Sequence, residues 1–192
     1  IRFRWITIAV VFCLFLLSLL GFGQVKKSFF PDSTTPMYLV DLWFPEGTHI
    51  EETVRQVKRA EAFVQDNQGV ENVISFIGGG QIRFLLTYTS ESEYPSYAQL
   101  LVHVEDHRDI PGMLTGVQSS LEGMLPQATV QTKPFILGPS TGGKIQLRIY
   151  GPDSKTLRTL GKKAENILQA DPMSKAIRNE WRNKVKVLRP QM

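Results

Sequence analysis

Cysteine is almost missing from this chain: Cys13 is the sole example in 192 residues. No disulfide can form within it and no cysteine-based metal cluster can be built, so packing alone must hold the water-exposed part together. Charge of one sign is not in large excess either, with 22 basic against 18 acidic residues and a net charge of +4. The basic surplus gathers beside an oily N-terminal run and in a tail of Lys175, Arg178, Arg182, Lys184, Lys186 and Arg189. Trp181 is the only ring in that tail. Base stacking needs more interleaved aromatics, so the tail reads as a solvated basic face and a nucleic-acid partner is not expected. No nucleophile elbow or other catalytic signature is present. The glycines at 78–80 are not followed by Lys-Ser/Thr, and no helix begins there, which argues against a phosphate loop. His103 and His107 flank Glu105 and Asp106, but they fall at the end of a strand pattern, where a four-residue spacing separates them by roughly 13 Å. The sequence thus predicts neither an enzyme nor a cofactor or metal site.

One long apolar run stands out. Residues 5–25 contain no charge, with Arg2 and Arg4 before them and Lys26 and Lys27 after. As a helix the run reaches about 30 Å, the thickness of a bilayer's hydrocarbon core. It is longer than a signal-peptide core of ~7–15 residues, and Gly21-Phe22-Gly23-Gln24 makes a poor cleavage site. Thr7, Ser18 and Gln24 are too few to give the polar stripe of a buried soluble helix. A membrane span is expected, with Trp5 at its edge.

The remainder, about 165 residues, has room for one domain or one and a half small ones. Residues 37–44 are rich in strand formers. Thr48 and Glu51 then read as a capping box for a helix carrying Ile50, Val54, Val57, Glu61 and Val64 on one face, ended by Gly69. Residues 70–77 are a second strand, 78–80 a break, 82–89 a third strand and 97–104 a fourth. A second helix starts near Asp109, with Pro111 in its first turn and Leu114, Val117, Leu121 and Met124 on its buried face, and Pro126 stops it. A strand follows at 129–133. Prolines, glycines, Ser140 and Thr141 crowd residues 134–143, which read as a linker. The pattern then restarts: strand 144–150, a helix capped by Ser154 with Leu157, Leu160, Ala164, Ile167 and Leu168 on its apolar face, and strands at 174–181 and 184–188. The expected fold class is α+β: an N-terminal transmembrane helix (1–27 with its flanks), a ferredoxin-like split βαβ unit (28–135), a linker (136–143), and an incomplete βαββ unit (144–192).

Several segments carry a family resemblance over essentially the whole chain. They are Phe29-Phe30-Pro31-Asp32 after the oily run, Phe44-Pro45-Glu46-Gly47-Thr48, Gly69-Val70-Glu71-Asn72-Val73, and the stretch from Trp181-Arg182-Asn183 through Val187-Leu188-Arg189-Pro190. In order and spacing these resemble the resistance-nodulation-division (RND) efflux transporters of the AcrB-type hydrophobe/amphiphile branch, and the second half of such a transporter. The resemblance implies that residues 5–25 open the second membrane bundle, 34–134 form a porter subdomain and 144–192 begin the next. It also implies a homotrimer in the bacterial inner membrane with its soluble part in the periplasm, membrane lipid, a periplasmic adaptor and an outer-membrane channel as partners, and proton-driven export of small amphiphilic compounds. The proton-carrying acidic residues of the family lie in membrane helices outside this chain.

The substrate-path candidates are Phe76, Gly78, Gly79, Gly80, Gln81, Ile82, Arg83 and Phe84. The resemblance puts a glycine-rich switch loop of the drug path here. Relatives of the multidrug prototype carry phenylalanines in that loop, whereas this chain has none from Gly78 to Gln81 and offers Phe76 and Phe84 at the flanks. A plain flexible turn is the simpler alternative. Arg83 is either a cleft residue for anionic groups or the polar member of an alternating strand. Tyr38, Trp43 and Phe44 are expected in the core. A single-span, membrane-tethered periplasmic binding or sensory domain is the alternative function.

Overall fold

The computed structural model describes residues 3–23, 33–82, 88, 90–135 and 145–187. The chain divides into two compact units, Ile1–Pro31 and Asp32–Met192.

The first unit holds α1 (Arg4–Gly23), 20 residues long and long and apolar enough to cross a membrane. None of its residues is buried, and Leu, Phe, Ile and Val side chains are exposed around it. Water does not tolerate so much contiguous apolar surface, so α1 fits a membrane anchor.

The second unit is built on one sheet. Its elements are β1 (Met37–Trp43), α2 (Ile50–Gln65), β2 (Val70–Ile77), β3 (Tyr97–Val104), α3 (Ile110–Met124), β4 (Thr129–Pro134) and α4 (Ser154–Gln169). The strand order is β2-β3-β1-β4, antiparallel throughout. This is the ferredoxin-like split βαβ arrangement expected from the sequence. Alternate residues of β1 and β3 (Tyr38, Val40, Leu42; Ala98, Leu100, Val102, Val104) meet Val57, Ala60 and Val64 of α2 and Val117 and Leu121 of α3 in the main core. Phe44 and Tyr38 join that core. Trp43 points to the other face, where it too is buried.

That other face is not open to water as a two-layer antiparallel sheet would ordinarily leave it. Leu39, Leu101 and Phe135 form a second small cluster there, with Met37, Phe76 and Tyr88 against it. Double coverage explains why β3 reads as a near-continuous apolar run.

Several local expectations need correction. The cap of α2 is His49, whose side chain accepts from the Glu51 N–H at 3.4 Å. Thr48 does not cap, because its hydroxyl donates to the Pro45 carbonyl at 2.7 Å instead. The buried line of α2 runs through Thr53, Val57, Ala60 and Val64, so Ile50 and Glu61 lie at its margin and Glu61 accepts from the Ser75 hydroxyl. Asp66 ends α2, and Gly69, at φ +84°, serves the turn beyond it. Asp153, not Ser154, caps α4, accepting from the N–H groups of Lys155 and Thr156 at 3.2 and 2.9 Å.

The strands expected after the linker do not form: among the described residues, 145–150 and 174–187 join no ladder. Their composition suits a half-buried strand, but a strand also needs an edge to pair with. Ile145 is 86% exposed, and left-handed backbone at Ala176 and Arg182 breaks the extended run of the tail. The strand expected at 82–89 falls mostly outside the described residues; Ile82 itself is in irregular structure. The linker at 136–143 also lies outside them.

Candidate functional site

Gly78 follows β2 directly. Its N–H donates to the Tyr97 carbonyl at 2.8 Å and its carbonyl accepts from the Tyr94 N–H at 2.9 Å. Its φ of +83° is the left-handed conformation that glycine adopts without a steric penalty. The three glycines differ in what surrounds them. A Cβ on Gly78 would lie 3.2 Å from Ile50 Cδ1, and one on Gly80 only 2.8 Å from the Glu91 backbone nitrogen. At Gly79 the nearest atom would be Glu93 Cγ at 3.7 Å, an ordinary contact. Gly79 is thus the one place in the loop where glycine is not required by space or by backbone angle.

The loop is tied to the far face of the sheet by a polar chain. The Gln81 N–H donates to Gln99 Oε1 at 3.1 Å, and the Tyr88 hydroxyl donates to the same oxygen at 2.8 Å. Gln99 Nε2 donates to Asp41 Oδ1 at 2.8 Å and to the Tyr97 hydroxyl at 3.1 Å. The Tyr97 hydroxyl donates to Asp41 Oδ1 at 2.9 Å. Lys133 on β4 pairs with Asp41 Oδ2. Asp41 is 1% exposed and Gln99 0%, and they are direct cross-strand partners. A buried carboxyl group without donors is costly, and Gln99, Tyr97 and Lys133 supply them here. Burial raises the Tyr97 hydroxyl's pKa, and the neighbouring Asp41 charge pushes it further in the same direction. Burial also raises Tyr88, against the pull of its bond to Gln99.

A groove of about 1440 Å³ opens beside this face, between Leu39, Tyr88 and Glu91 on one side and Leu147, Leu157 and Trp181 on the other. Of the sequence-predicted site residues, Phe76 packs into the cluster of Leu39 and Leu101, while Ile82 is 85% exposed. Of the loop, Gln81 bonds Gln99 directly, and Gly78, Gly79, Gly80 and Gln81 do not line the groove; the returning arm of the loop, at Tyr88, Ser90 and Glu91, does. Arg83 and Phe84 lie outside the described residues. His107 pairs with Asp106 at 3.3 Å, beyond the end of the strand that carries His103.

Sequence reasoning missed the Asp41–Tyr97–Gln99–Lys133 chain. One signal was available: Asp41 and Gln99 each interrupt an otherwise apolar strand. It missed a second cluster as well, in which Arg178 and Arg182 lie over the Trp43 ring at 4.6 and 5.1 Å.

The arrangement is a groove of mixed apolar and charged lining, beside a glycine-rich loop fastened at a few points. Two solved structures of a heavy metal efflux pump, from two crystal forms, resemble this chain. One aligns at a TM-score of 0.58 with 18% identity over 87% of this chain and 17% of the pump. The other aligns at 0.57 with 14% identity over 88% of this chain and 18% of the pump. At these identities the likeness establishes a shared fold. The chain spans less than a fifth of the pump's length. No protein-family model matches the sequence, and no curated protein matches it.

Proposed function

We propose that this chain is a membrane-anchored porter region of a proton-driven RND exporter, with its soluble part in the periplasm and small amphiphilic compounds as substrates. The observation that carries the reading is the alignment of 87% of the chain with an efflux pump at a TM-score of 0.58. The apolar helix α1 ahead of a ferredoxin-like unit agrees with it, as do the sequence segments that resemble the RND family. On this reading residues 28–135 are one porter subdomain and 144–192 the start of the next. The groove between them is part of the substrate cleft, and the Gly78–Gly80 loop beside it is a flexible point. Its lining joins Leu39, Leu147 and Leu157 to Glu91 and Arg178, a mixture suited to an amphiphile. The full-length protein works as a homotrimer with a periplasmic adaptor and an outer-membrane channel.

The test is dye efflux in cells carrying or lacking the full-length gene. Deletion should raise accumulation of an amphiphilic dye such as Nile red, and a protonophore should abolish the difference. Sensitivity of the deletion strain to copper or zinc without a change in dye would redirect the substrate to a metal cation. No change in either would overturn the exporter reading.

A further inference from the structure

Arg182 sits in left-handed backbone at φ +45°, a conformation unfavourable for a side-chain-bearing residue unless its surroundings enforce it. Several groups of the β1–α2 turn and its neighbours meet the side chain here. Nη2 donates to the Phe44 carbonyl at 2.7 Å and to Ser96 Oγ at 2.8 Å. Nη1 forms an ion pair with the Glu46 carboxylate but, among the described residues, no aligned hydrogen bond. The guanidinium also lies 5.1 Å from the Trp43 ring centre and 5.5 Å from that of Tyr94. The next residue extends the grip: Asn183 Oδ1 accepts from the Glu46 N–H at 2.7 Å, and its Nδ2 donates to the Glu46 carbonyl at 3.1 Å. Val185 closes over Gly47, its Cγ1 lying 3.0 Å from where a Cβ would be. Arg178 adds a second cation over Trp43 and pairs with Glu91 at 3.7 Å.

These contacts join the tail to the turn between β1 and α2, to the end of β1 and to the segment that leads into β3. The tail is in turn held to α4, because Arg158 donates to the Arg182 carbonyl at 3.3 Å and lies 5.2 Å over Trp181. No residue of α4 is buried among the described residues. The junction is therefore made of hydrogen bonds, ion pairs and cation–π contacts at a few points, not of a shared apolar core. Such a junction separates without exposing a large apolar surface. Arginine suits it, since its planar fork bonds and stacks at once.

We infer that Arg182 is a latch that fastens α4 and the basic tail to the β1–α2 turn, and that the latch opens when the two porter lobes part during transport. The second half of this statement rests on the exporter reading; the first does not.

The latch is tested on the full chain in detergent micelles, with Trp5→Phe and Trp181→Phe leaving Trp43 as the only indole. Arg182→Gln should shift Trp43 emission to the red and raise its acrylamide quenching by about twofold, with Arg182→Lys intermediate because it lacks the fork. Circular dichroism monitors folding. Should Arg182→Gln misfold, Asn183→Ala, which removes only the grip on the Glu46 backbone, gives the same readout in weaker form. Unchanged emission and quenching in the folded variants overturn the latch. Efflux is then measured in cells with the full-length transporter at equal membrane abundance, where Arg182→Gln should lower dye export several-fold. A fluorescence change with wild-type export overturns the role in transport but leaves both the latch and the exporter reading standing. The exporter reading itself is judged by the gene-deletion comparison, so the two failures are separable.

Discussion

Gln99 Oε1, wholly buried in the second-to-edge strand, accepts the backbone N–H of Gln81 at 3.1 Å, so the floor of the sheet determines where the glycine-rich loop comes to rest. Gln99 is aimed by Asp41 and Tyr97, and Asp41 by Lys133. Loop placement is therefore a property of strands β1, β3 and β4 together.

Removing the Asp41 carboxylate should be costly. Asp41→Ala leaves Lys133, Tyr97 and Gln99 without their shared acceptor and should destabilise the soluble unit by about 3 kcal/mol, read by urea unfolding. Gln99→Leu should cost less overall but act on the loop: the Gln81 amide should exchange with solvent faster by an order of magnitude or so, while amides in α2 keep their protection.

The three glycines should separate under substitution. Gly80→Ala drives a Cβ to 2.8 Å from a backbone nitrogen and should cost about 2 kcal/mol. Gly78→Ala should cost about 1 kcal/mol through its positive φ. Gly79→Ala meets only an ordinary contact and should leave stability within about 0.5 kcal/mol. Impaired export by a normally assembled Gly79→Ala transporter would then report on movement of the loop, since the resting fold accommodates the added Cβ. Unchanged export would count against a moving loop.

Alkali should unfold the domain through its buried tyrosines. Burial pushes Tyr38 up to about 12, and Tyr97 moves the same way. A tyrosine whose folded pKa is raised contributes stability that is complete below its unfolded pKa, near 10, and is lost as pH climbs through the folded value. Stability should therefore fall between pH 10 and 12, followed by circular dichroism during base titration. Among the described residues the Tyr38 hydroxyl has no hydrogen-bond partner. Tyr38→Phe should thus gain about 1 kcal/mol at neutral pH and flatten, without abolishing, the alkaline decline.

What the sequence revealed and what it withheld follow a physical divide. Helices α2 and α3 and strands β1 and β3 were legible because one-sided or full burial writes a period or an apolar run into consecutive residues. The caps were displaced by one residue because Thr48, Asp153 and Ser154 compete for neighbouring backbone groups, and composition does not say which wins. The segments at 145–150 and 174–187 carry the residues of strands, yet pairing depends on an available edge, which no local pattern encodes. The cross-strand meeting of Asp41 with Gln99 requires the register, and that of Arg182 with Trp43 the return of a distant tail. Of the candidate loop, the glycines were visible as glycines; that Gly80 is wedged and Gly79 roomy was not.

The pairing of Asp41 with Lys133 also bears on biosynthesis. The carboxylate is on β1, the earliest strand of this sheet in the chain, whereas its cation is on β4, about ninety residues later. Until β4 emerges, any nascent assembly of β1 and β3 must keep Asp41 hydrated, so the sheet cannot seal early around an incomplete polypeptide. A ribosome paused before residue 133 should accordingly present a loosely knit, protease-sensitive intermediate that firms up only when the lysine arrives.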